Sequence, residues 1–202
     1  MKIATWNVNS IRTRLGIVTS WLQENPVDVL CIQESKATDE QFPIDAIAAG
    51  GYHVYISGQK SYNGVAIFSK QPLTDVSRGF GGVLAPELVG DLDEQKRVIA
   101  GTLDGVRIVN LYVPNGNAID SDKYAYKLRW LELLGLYLKT TMTAVQQSIC
   151  VCGDFNIALD DLDIHSKTVA LDRVMATATE RELLRKSTID LGFQDSFRKF
   201  TS

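Results

Sequence analysis

Short apolar runs alternate along the chain with stretches in which apolar residues recur every three or four positions. The runs predict strands, and the longer periodic stretches predict amphipathic helices with one buried face. The run from Val27 to Gln33 is almost continuously apolar, as in a strand that is buried on both faces of its sheet. Strands are predicted at residues 2–6, 27–33, 52–56, 64–68, 97–103, 106–113 and 148–152.

Three helices are predicted from the same pattern, at residues 11–24, 121–141 and 178–191. Ser10 is a suitable N-terminal cap for the first helix. Thr177 with Glu180 three residues later has the spacing of a capping box for the last helix, and Gly192 is a suitable end for it. Asp104-Gly105 predicts a hairpin between two strands. The fold class is therefore α/β or α+β.

The composition is that of an ordinary globular protein, with 202 residues, 45% of them apolar and 22% charged. This predicts one sizeable domain, or at most two small ones, and excludes a disordered chain, a fibre and a small disulfide scaffold. We expect no membrane contact, because no apolar stretch approaches the roughly 20 residues that a membrane-spanning helix needs. The polar start of the chain does not resemble a secretory signal, and three cysteines are an odd number. Both features predict a cytoplasmic protein with reduced thiols.

The net charge by itself argues against a nucleic-acid partner. The chain has 21 Lys and Arg against 24 Asp and Glu, which gives a formal charge of −3. Proteins that bind nucleic acid chiefly through charge are basic overall. A polyanion would therefore have to be held by a local basic patch or by a metal ion.

Polar side chains with oxygen atoms follow four of the predicted strands. If these strand ends meet at one rim of a sheet, the side chains form a site suited to Mg²⁺, or Mn²⁺, both of which prefer oxygen ligands. Zinc is disfavoured, because His53 and His165 lie far apart and neither has a partner at ligand spacing. The expected chemistry is metal-assisted attack of water on a phosphate ester. The residues concerned are Asn7, Asn9, Glu34, Asn115, Asp154 and Asn156.

Each of these residues also has a structural explanation. Asn or Asp after a strand is commonly a turn residue or a helix cap. Glu34 differs, because Glu is a poor turn residue and here follows a buried run. Tyr112 taken alone is more typical of a core position.

Five segments in this order resemble the exonuclease III family of apurinic/apyrimidinic endonucleases, in the endonuclease/exonuclease/phosphatase superfamily: TWNVNSIRTRL, DVLCIQESK, YNGVAIFSK, RIVNLYVPNG and VCGDFNIA. The resemblance implies a single domain over residues 1–202 with an α+β fold, a four-layered α/β/β/α sandwich with two packed sheets. It also implies a monomeric, Mg²⁺-dependent phosphodiesterase that cleaves duplex DNA 5′ to abasic sites and trims 3′ ends.

The resemblance further implies a role for each site residue. Glu34 is the principal metal ligand, with Asn7 and Asn9 beside it. Asp154 orients or deprotonates the attacking water, Asn156 holds the scissile phosphate, and Tyr112 acts as a donor near that phosphate or stabilises the leaving group. The residues expected near the DNA are Arg12, Lys36, Lys96, Arg97 and Asn115.

The chain departs from the family at its C-terminus, at Phe200-Thr201-Ser202. Family members continue with a tryptophan-rich strand and an Asp-His pair that is central to catalysis. We therefore expect a truncated chain, an incomplete second sheet and little or no activity. Two other functions remain open: a non-catalytic nucleic-acid-binding or regulatory protein on the same scaffold, and a phosphoesterase acting on a lipid or inositol phosphate.

Overall fold

The computed structural model describes residues 1–144, 148–165 and 173–200. Within these ranges the chain forms eight strands and five helices, joined by turns and short 3₁₀ segments. The strands are β1 Ile3–Asn7, β2 Val29–Gln33, β3 His53–Ser57, β4 Val65–Ser69, β5 Thr74–Arg78, β6 Val98–Leu103, β7 Val106–Tyr112 and β8 Ser148–Asp154. The helices are α1 Ile11–Glu24, α2 Ile44–Ala48, α3 Pro86–Val89, α4 Asp122–Ala144 and α5 Ala178–Ser187.

The chain divides into two compact units. Unit 1 contains Met1–Tyr112 and Gln146–Phe155, and unit 2 contains Val113–Val145 and Asn156–Ser202. All the strands and α1 to α3 belong to unit 1, whereas α4 and α5 belong to unit 2. None of the helices in the described residues has the length and apolar character needed to cross a membrane. The prediction of a single domain over residues 1–202 stays a prediction.

Unit 1 is built from two four-stranded sheets. The first has the strand order β1-β2-β4-β3 and the second has the order β5-β6-β7-β8. The pairs β1–β2 and β7–β8 are parallel. Parallel neighbours have their carboxyl ends at the same edge of a sheet. In the first sheet Asn7 pairs with Gln33 at this edge, and in the second sheet Tyr112 pairs with Asp154.

Alternation along β2 shows why the apolar runs are continuous. Leu30 and Ile32 pack with α1 and α2 on the outer face of the first sheet. Val29 and Cys31 face the other way and pack with residues of β6 and β7 in the second sheet, including Ile99. A strand between two apolar layers needs apolar side chains at most of its positions, because both of its faces are buried.

A polar network is buried between the two sheets. Gln33 and Asn110 have exposed fractions of 1% and 0%. Gln33 Nε2 donates to Asn110 Oδ1 at 2.7 Å. Asn110 Nδ2 donates to the carbonyl oxygens of Ile32 and Ala66, both at 2.9 Å. Asn110 therefore connects β7 to two strands of the opposite sheet.

Asn110→Leu is expected to lower the free energy of unfolding by about 2–4 kcal/mol. The substitution removes three buried hydrogen bonds, one from the Gln33 amide and one to each of the Ile32 and Ala66 carbonyl oxygens, and each is worth about 0.5–1.5 kcal/mol. Urea denaturation measures the change. Gln23→Leu, at an exposed amide on α1, is the control and should change stability little. Equal stability of the two variants would contradict a stabilising role for the network.

Most predicted elements are confirmed, with shifts of one to three residues at their ends. Helix α1 has the predicted bounds, and the Ser10 side chain accepts from Thr13 N. The last helix is shorter than predicted, because α5 ends at Ser187 and a separate 3₁₀ turn covers Ile189–Leu191. Strand β5 was not predicted. It is short, polar and half exposed, with an irregular register against β6.

In unit 2, α4 and α5 pack against each other. Ser187 Oγ donates to the carbonyl oxygen of Leu131 at 2.8 Å. The predicted capping box is present, with Thr177 accepting from Glu180 N and the Glu180 side chain accepting from the backbone of Thr177. This box fixes the position of Glu180 at the start of α5.

Candidate active site

The centre of the site is an amide between two carboxylates. Asn7 ends β1, Glu34 follows β2 directly, and Asp154 ends β8. Asn7 Nδ2 donates to Glu34 Oε1 at 2.9 Å and to Asp154 Oδ2 at 2.8 Å. Asn7 Oδ1 accepts from the backbone N–H of Asn9 at 3.0 Å, which fixes the orientation of the amide. Three of the predicted residues from distant parts of the sequence are thus in direct contact.

Lys36 adds a positive charge to this group. Its Nζ lies 2.9 Å from Glu34 Oε2 and also donates to Asn9 Oδ1. An ammonium group thus contacts oxygens of two residues predicted to hold a metal ion. These oxygens therefore form a local arrangement that binds a cation.

Tyr112, at the end of β7, donates its hydroxyl hydrogen to the Glu34 carboxylate. Burial, this hydrogen bond and the negative charges of Glu34 and Asp154 raise the pKa of Tyr112 to about 12, although Arg97 acts in the opposite direction. Partial burial acts to raise the pKa of Glu34, but hydrogen bonds from Asn7, Lys36 and Tyr112 outweigh it and lower that pKa below 4.5. At neutral pH the phenol is therefore a proton donor and Glu34 is an anion.

Because of this shift, the free energy of unfolding is expected to fall as the pH rises from about 10 to about 12. In that window a tyrosine in the unfolded chain loses its proton while folded Tyr112 keeps it, so rising pH favours the unfolded state. Urea denaturation across this range measures the slope. Tyr112→Phe should flatten it, whereas Tyr62→Phe, at a 70% exposed ring, should not. A slope unchanged by Tyr112→Phe would contradict the assignment.

Four predicted site residues have left-handed backbone conformations, which are uncommon outside glycine. The φ angles are 44° at Asn9, 53° at Glu34, 50° at Lys36 and 48° at Asn156. Such conformations persist where the surroundings hold them. The segment after β2 is held by backbone hydrogen bonds from Ser10, Ile11, Ser35 and Lys36, which join it to the start of α1 and to the 63–64 turn.

Gly64 allows this turn to approach the segment closely. Its φ is 86°, and a Cβ at this position would lie 2.2 Å from Ser35 Oγ. The Asn63-Gly64 pair in one of the five sequence segments therefore has a structural reason. It supports the backbone that carries Glu34.

The residues predicted to contact DNA fall into different environments. Arg12 is exposed in the first turn of α1, and Lys96 is exposed with its Nζ 2.9 Å from the Asp93 carbonyl oxygen. Arg97 is buried, with its guanidinium 4.6 Å from the centre of the Tyr112 ring and Nη1 donating to the Tyr112 carbonyl oxygen at 3.1 Å. Burial makes Arg97 a support for Tyr112 and leaves it little surface for DNA.

Asn115 and Asn156 belong to unit 2. Asn156 Nδ2 donates to the Val113 carbonyl oxygen at 2.9 Å. Lys127 Nζ donates to the carbonyl oxygens of Asn115 at 3.1 Å and Asn156 at 2.8 Å. The catalytic and binding roles predicted for these two asparagines, like those of the unit 1 residues, stay predictions. The structure shows which hydrogen bonds hold Asn115 and Asn156 in place.

Sequence reasoning missed Lys127 and its partner Glu180. Lys127 is buried in α4, whereas its neighbour Leu128 is only half-buried. The signal was available, since Tyr124, Lys127 and Leu131 have the 3-4 spacing of a buried helix face. Glu180 was recognised only as a capping residue.

The donor set of unit 1 fits a hard divalent cation. Glu34 provides a carboxylate, and Asn7 and Asn9 provide amide oxygens, which are the ligand types that Mg²⁺ and Mn²⁺ prefer. Across the described ranges, no three His, Cys, Asp or Glu side chains group closely enough to hold a metal ion. A metal ion here would therefore rely on amide, water or phosphate oxygens besides carboxylates.

Comparison with known proteins decides the family. The sequence pattern of the Endonuclease/Exonuclease/phosphatase family matches residues 4–193. The chain belongs to this family. An exodeoxyribonuclease III from Haemophilus influenzae is 31% identical over 209 residues, which cover 98% of this chain and 75% of that protein.

Two solved structures agree with this assignment. The 3′ phosphatase NExo from Neisseria, bound to a product DNA hairpin, is 40% identical with a TM-score of 0.91, covering 100% of this chain and 75% of that one. An AP endonuclease from Archaeoglobus fulgidus is 42% identical with a TM-score of 0.88, covering 98% and 74%. The chain is therefore an exonuclease III-type member of the family, and the predicted α+β fold with two packed sheets is confirmed. The family consists of hydrolytic enzymes, and these relatives assign the chain to the DNA-repair nucleases, which generally depend on a divalent metal.

Proposed function

We propose that the protein is a Mg²⁺-dependent phosphodiesterase that acts as a monomer in the cytoplasm, cleaves duplex DNA 5′ to abasic sites and trims 3′ ends. The observation that carries this proposal is the contact of Asn7 with both Glu34 and Asp154. It holds two carboxylates at the ends of strands, where side chains are fixed by the sheets rather than by mobile loops.

The site residues divide the chemical work among them. Glu34, with Asn7 and Asn9, would hold Mg²⁺, and the bound ion would neutralise charge on the phosphate oxygens. Asp154 orients the attacking water and accepts its proton. Tyr112 carries its proton at neutral pH because its pKa is about 12, so its hydroxyl can donate to a phosphate oxygen or to the leaving group.

Three residues complete the proposed contacts to DNA. Asn156 hydrogen-bonds the scissile phosphate, and Arg12 and Lys96 provide exposed positive charge for the neighbouring backbone. Such local cations allow binding despite the formal charge of −3, because only the charges near the phosphates act strongly at physiological salt.

The test compares three labelled duplexes: one with an abasic-site analogue, one with a recessed 3′ end and one with a 3′-phosphate. Each is incubated with the protein in excess, in Mg²⁺, in Mn²⁺ and in EDTA, so that slow single-turnover cleavage is measurable. We expect Mg²⁺-dependent nicking at the abasic site and shortening from the recessed end. The 3′-phosphate duplex reports whether terminal phosphate is also removed.

Two results would contradict the proposal. One is cleavage that persists in EDTA, since the proposed chemistry needs a divalent cation. The other is the absence of cleavage of every duplex in either metal, even with the protein in excess and on long incubation, because the proposal requires at least slow cleavage by this chain. Binding of duplex DNA without cleavage would favour the non-catalytic alternative, and release of phosphate from an inositol phosphate without DNA cleavage would favour the other superfamily branch.

A further inference from the structure

A fully buried ion pair joins the two helices of unit 2. Lys127 on α4 and Glu180 on α5 have side chains with 0% exposure, and Lys127 Nζ lies 2.5 Å from Glu180 Oε1. Removing two charges from water is costly, and their mutual attraction offsets this only when further hydrogen bonds satisfy both groups. The further hydrogen-bond partners of Lys127 and Glu180 therefore indicate the role of this ion pair.

Lys127 also contacts two loops that carry predicted site residues. An ammonium group has three N–H donors. Besides Glu180, Lys127 Nζ contacts the carbonyl oxygens of Asn115 at 3.1 Å and Asn156 at 2.8 Å. One buried cation thus binds the backbone after β7 and the backbone after β8.

Glu180 is held as firmly as Lys127. Its Oε1 accepts from Met175 N at 3.0 Å, and its Oε2 accepts from Thr177 N at 3.0 Å and Thr177 Oγ1 at 2.8 Å. The capping box therefore fixes the carboxylate, and the carboxylate fixes the ammonium. Both charged groups are satisfied without water.

Asn156 is constrained at two points as a result. Its φ of 48° is a left-handed conformation that needs support from its surroundings. Lys127 holds its carbonyl oxygen, and the Val113 carbonyl oxygen holds its side-chain amide. One hydrogen bond to its backbone and one from its side chain thus fix the orientation of Asn156.

We propose that the buried Lys127–Glu180 pair positions Asn156 for the phosphate, as a pair of positioning residues that do not touch DNA. This inference rests on the proposed role of Asn156 in phosphodiester cleavage. Small displacements of a group that orients substrate can lower a rate by about 100-fold.

The test variant is Lys127→Met/Glu180→Gln, which removes both charges at similar volume. The matched control is Lys186→Met/Glu182→Gln. Both of these residues lie on α5 and form an exposed ion pair, with side-chain accessibilities of 62% for Lys186 and 64% for Glu182. At saturating DNA, the single-turnover rate of the test variant should fall about 10- to 100-fold, while its affinity for DNA stays within about threefold. The control should match the wild-type protein.

A double-mutant cycle separates positioning from stability. In an Asn156→Ala background the same substitutions should cost less than about threefold, because the group they position is absent. An equal loss in both backgrounds, measured well below the unfolding temperature, would overturn the proposal. If the double variant does not fold, Glu180→Gln alone is carried through the same cycle.

A measurement that needs no activity distinguishes this inference from the proposed function. The side-chain amide of Asn156, assigned by NMR, should shift and broaden in the test variant and not in the control. An unchanged amide resonance would overturn the positioning role. Absence of cleavage by the wild-type protein together with a shifted amide would instead contradict the proposed function and leave the positioning of Asn156 supported.

Discussion

Asp154→Asn is expected to lower the rate of DNA cleavage by about 1,000-fold, in line with the loss of a general base. Asparagine has the size of aspartate, and its Oδ1 can still accept the hydrogen bond from Asn7 Nδ2, which measures 2.8 Å in the structure. What is lost is the ability to take a proton from water. Metal affinity should change little, because Glu34 is the proposed principal ligand.

Single-turnover cleavage of the abasic duplex at saturating DNA measures this effect. Asp45→Asn, at an exposed carboxylate on α2, is the matched control and should retain the wild-type rate. A loss of less than about tenfold for Asp154→Asn would show that this carboxylate is not the proton acceptor.

Glu34→Gln is expected to act on metal binding instead. Glutamine keeps the acceptor for Asn7 Nδ2 but removes the negative charge that would attract the cation, so the rate at low Mg²⁺ should fall by about 100-fold. Raising the Mg²⁺ concentration by about one order of magnitude should recover part of the rate, because a weakened site is filled by mass action.

The control for this variant is Glu24→Gln, at an exposed carboxylate at the end of α1. A titration of rate against Mg²⁺ should give a higher half-saturation concentration for Glu34→Gln and an unchanged one for the control. Equal, metal-insensitive losses in Glu34→Gln and Asp154→Asn would contradict the division of roles between the two carboxylates.

The strands that are buried on both faces could be predicted from the sequence alone. Strands β2 and β4 appear as almost continuous apolar runs, because neither face of either strand meets water. Strand β5 lacked this signal, since only its contacts with β6 make it a strand. The end of α5 was missed because a 3₁₀ turn continues the apolar pattern as far as Gly192.

The site was accessible to sequence reasoning only in part. Glu34 stood out because glutamate rarely follows a buried strand as a turn residue, and the structure places it at a φ of 53°. The contact between Asn7 and Asp154 joins residues 147 positions apart, which local periodicity cannot show. The helical spacing could indicate that Lys127 is buried but not what it binds, because Glu180 and the Asn115 and Asn156 carbonyl oxygens come from parts of the chain that only the fold brings together.

The measurement that tests the central claim most directly is the end chemistry of the strand cut by the protein. A duplex with one abasic-site analogue, labelled on the damaged strand, is incubated with the protein in Mg²⁺ and the products are resolved by length and by mass. Hydrolysis 5′ to the lesion predicts an upstream fragment that ends in a 3′-hydroxyl at the nucleotide before the abasic site. With Asp154→Asn this fragment should form about 1,000-fold more slowly. An upstream fragment that retains the abasic residue, or the same fragment at the same rate from Asp154→Asn, would contradict the account.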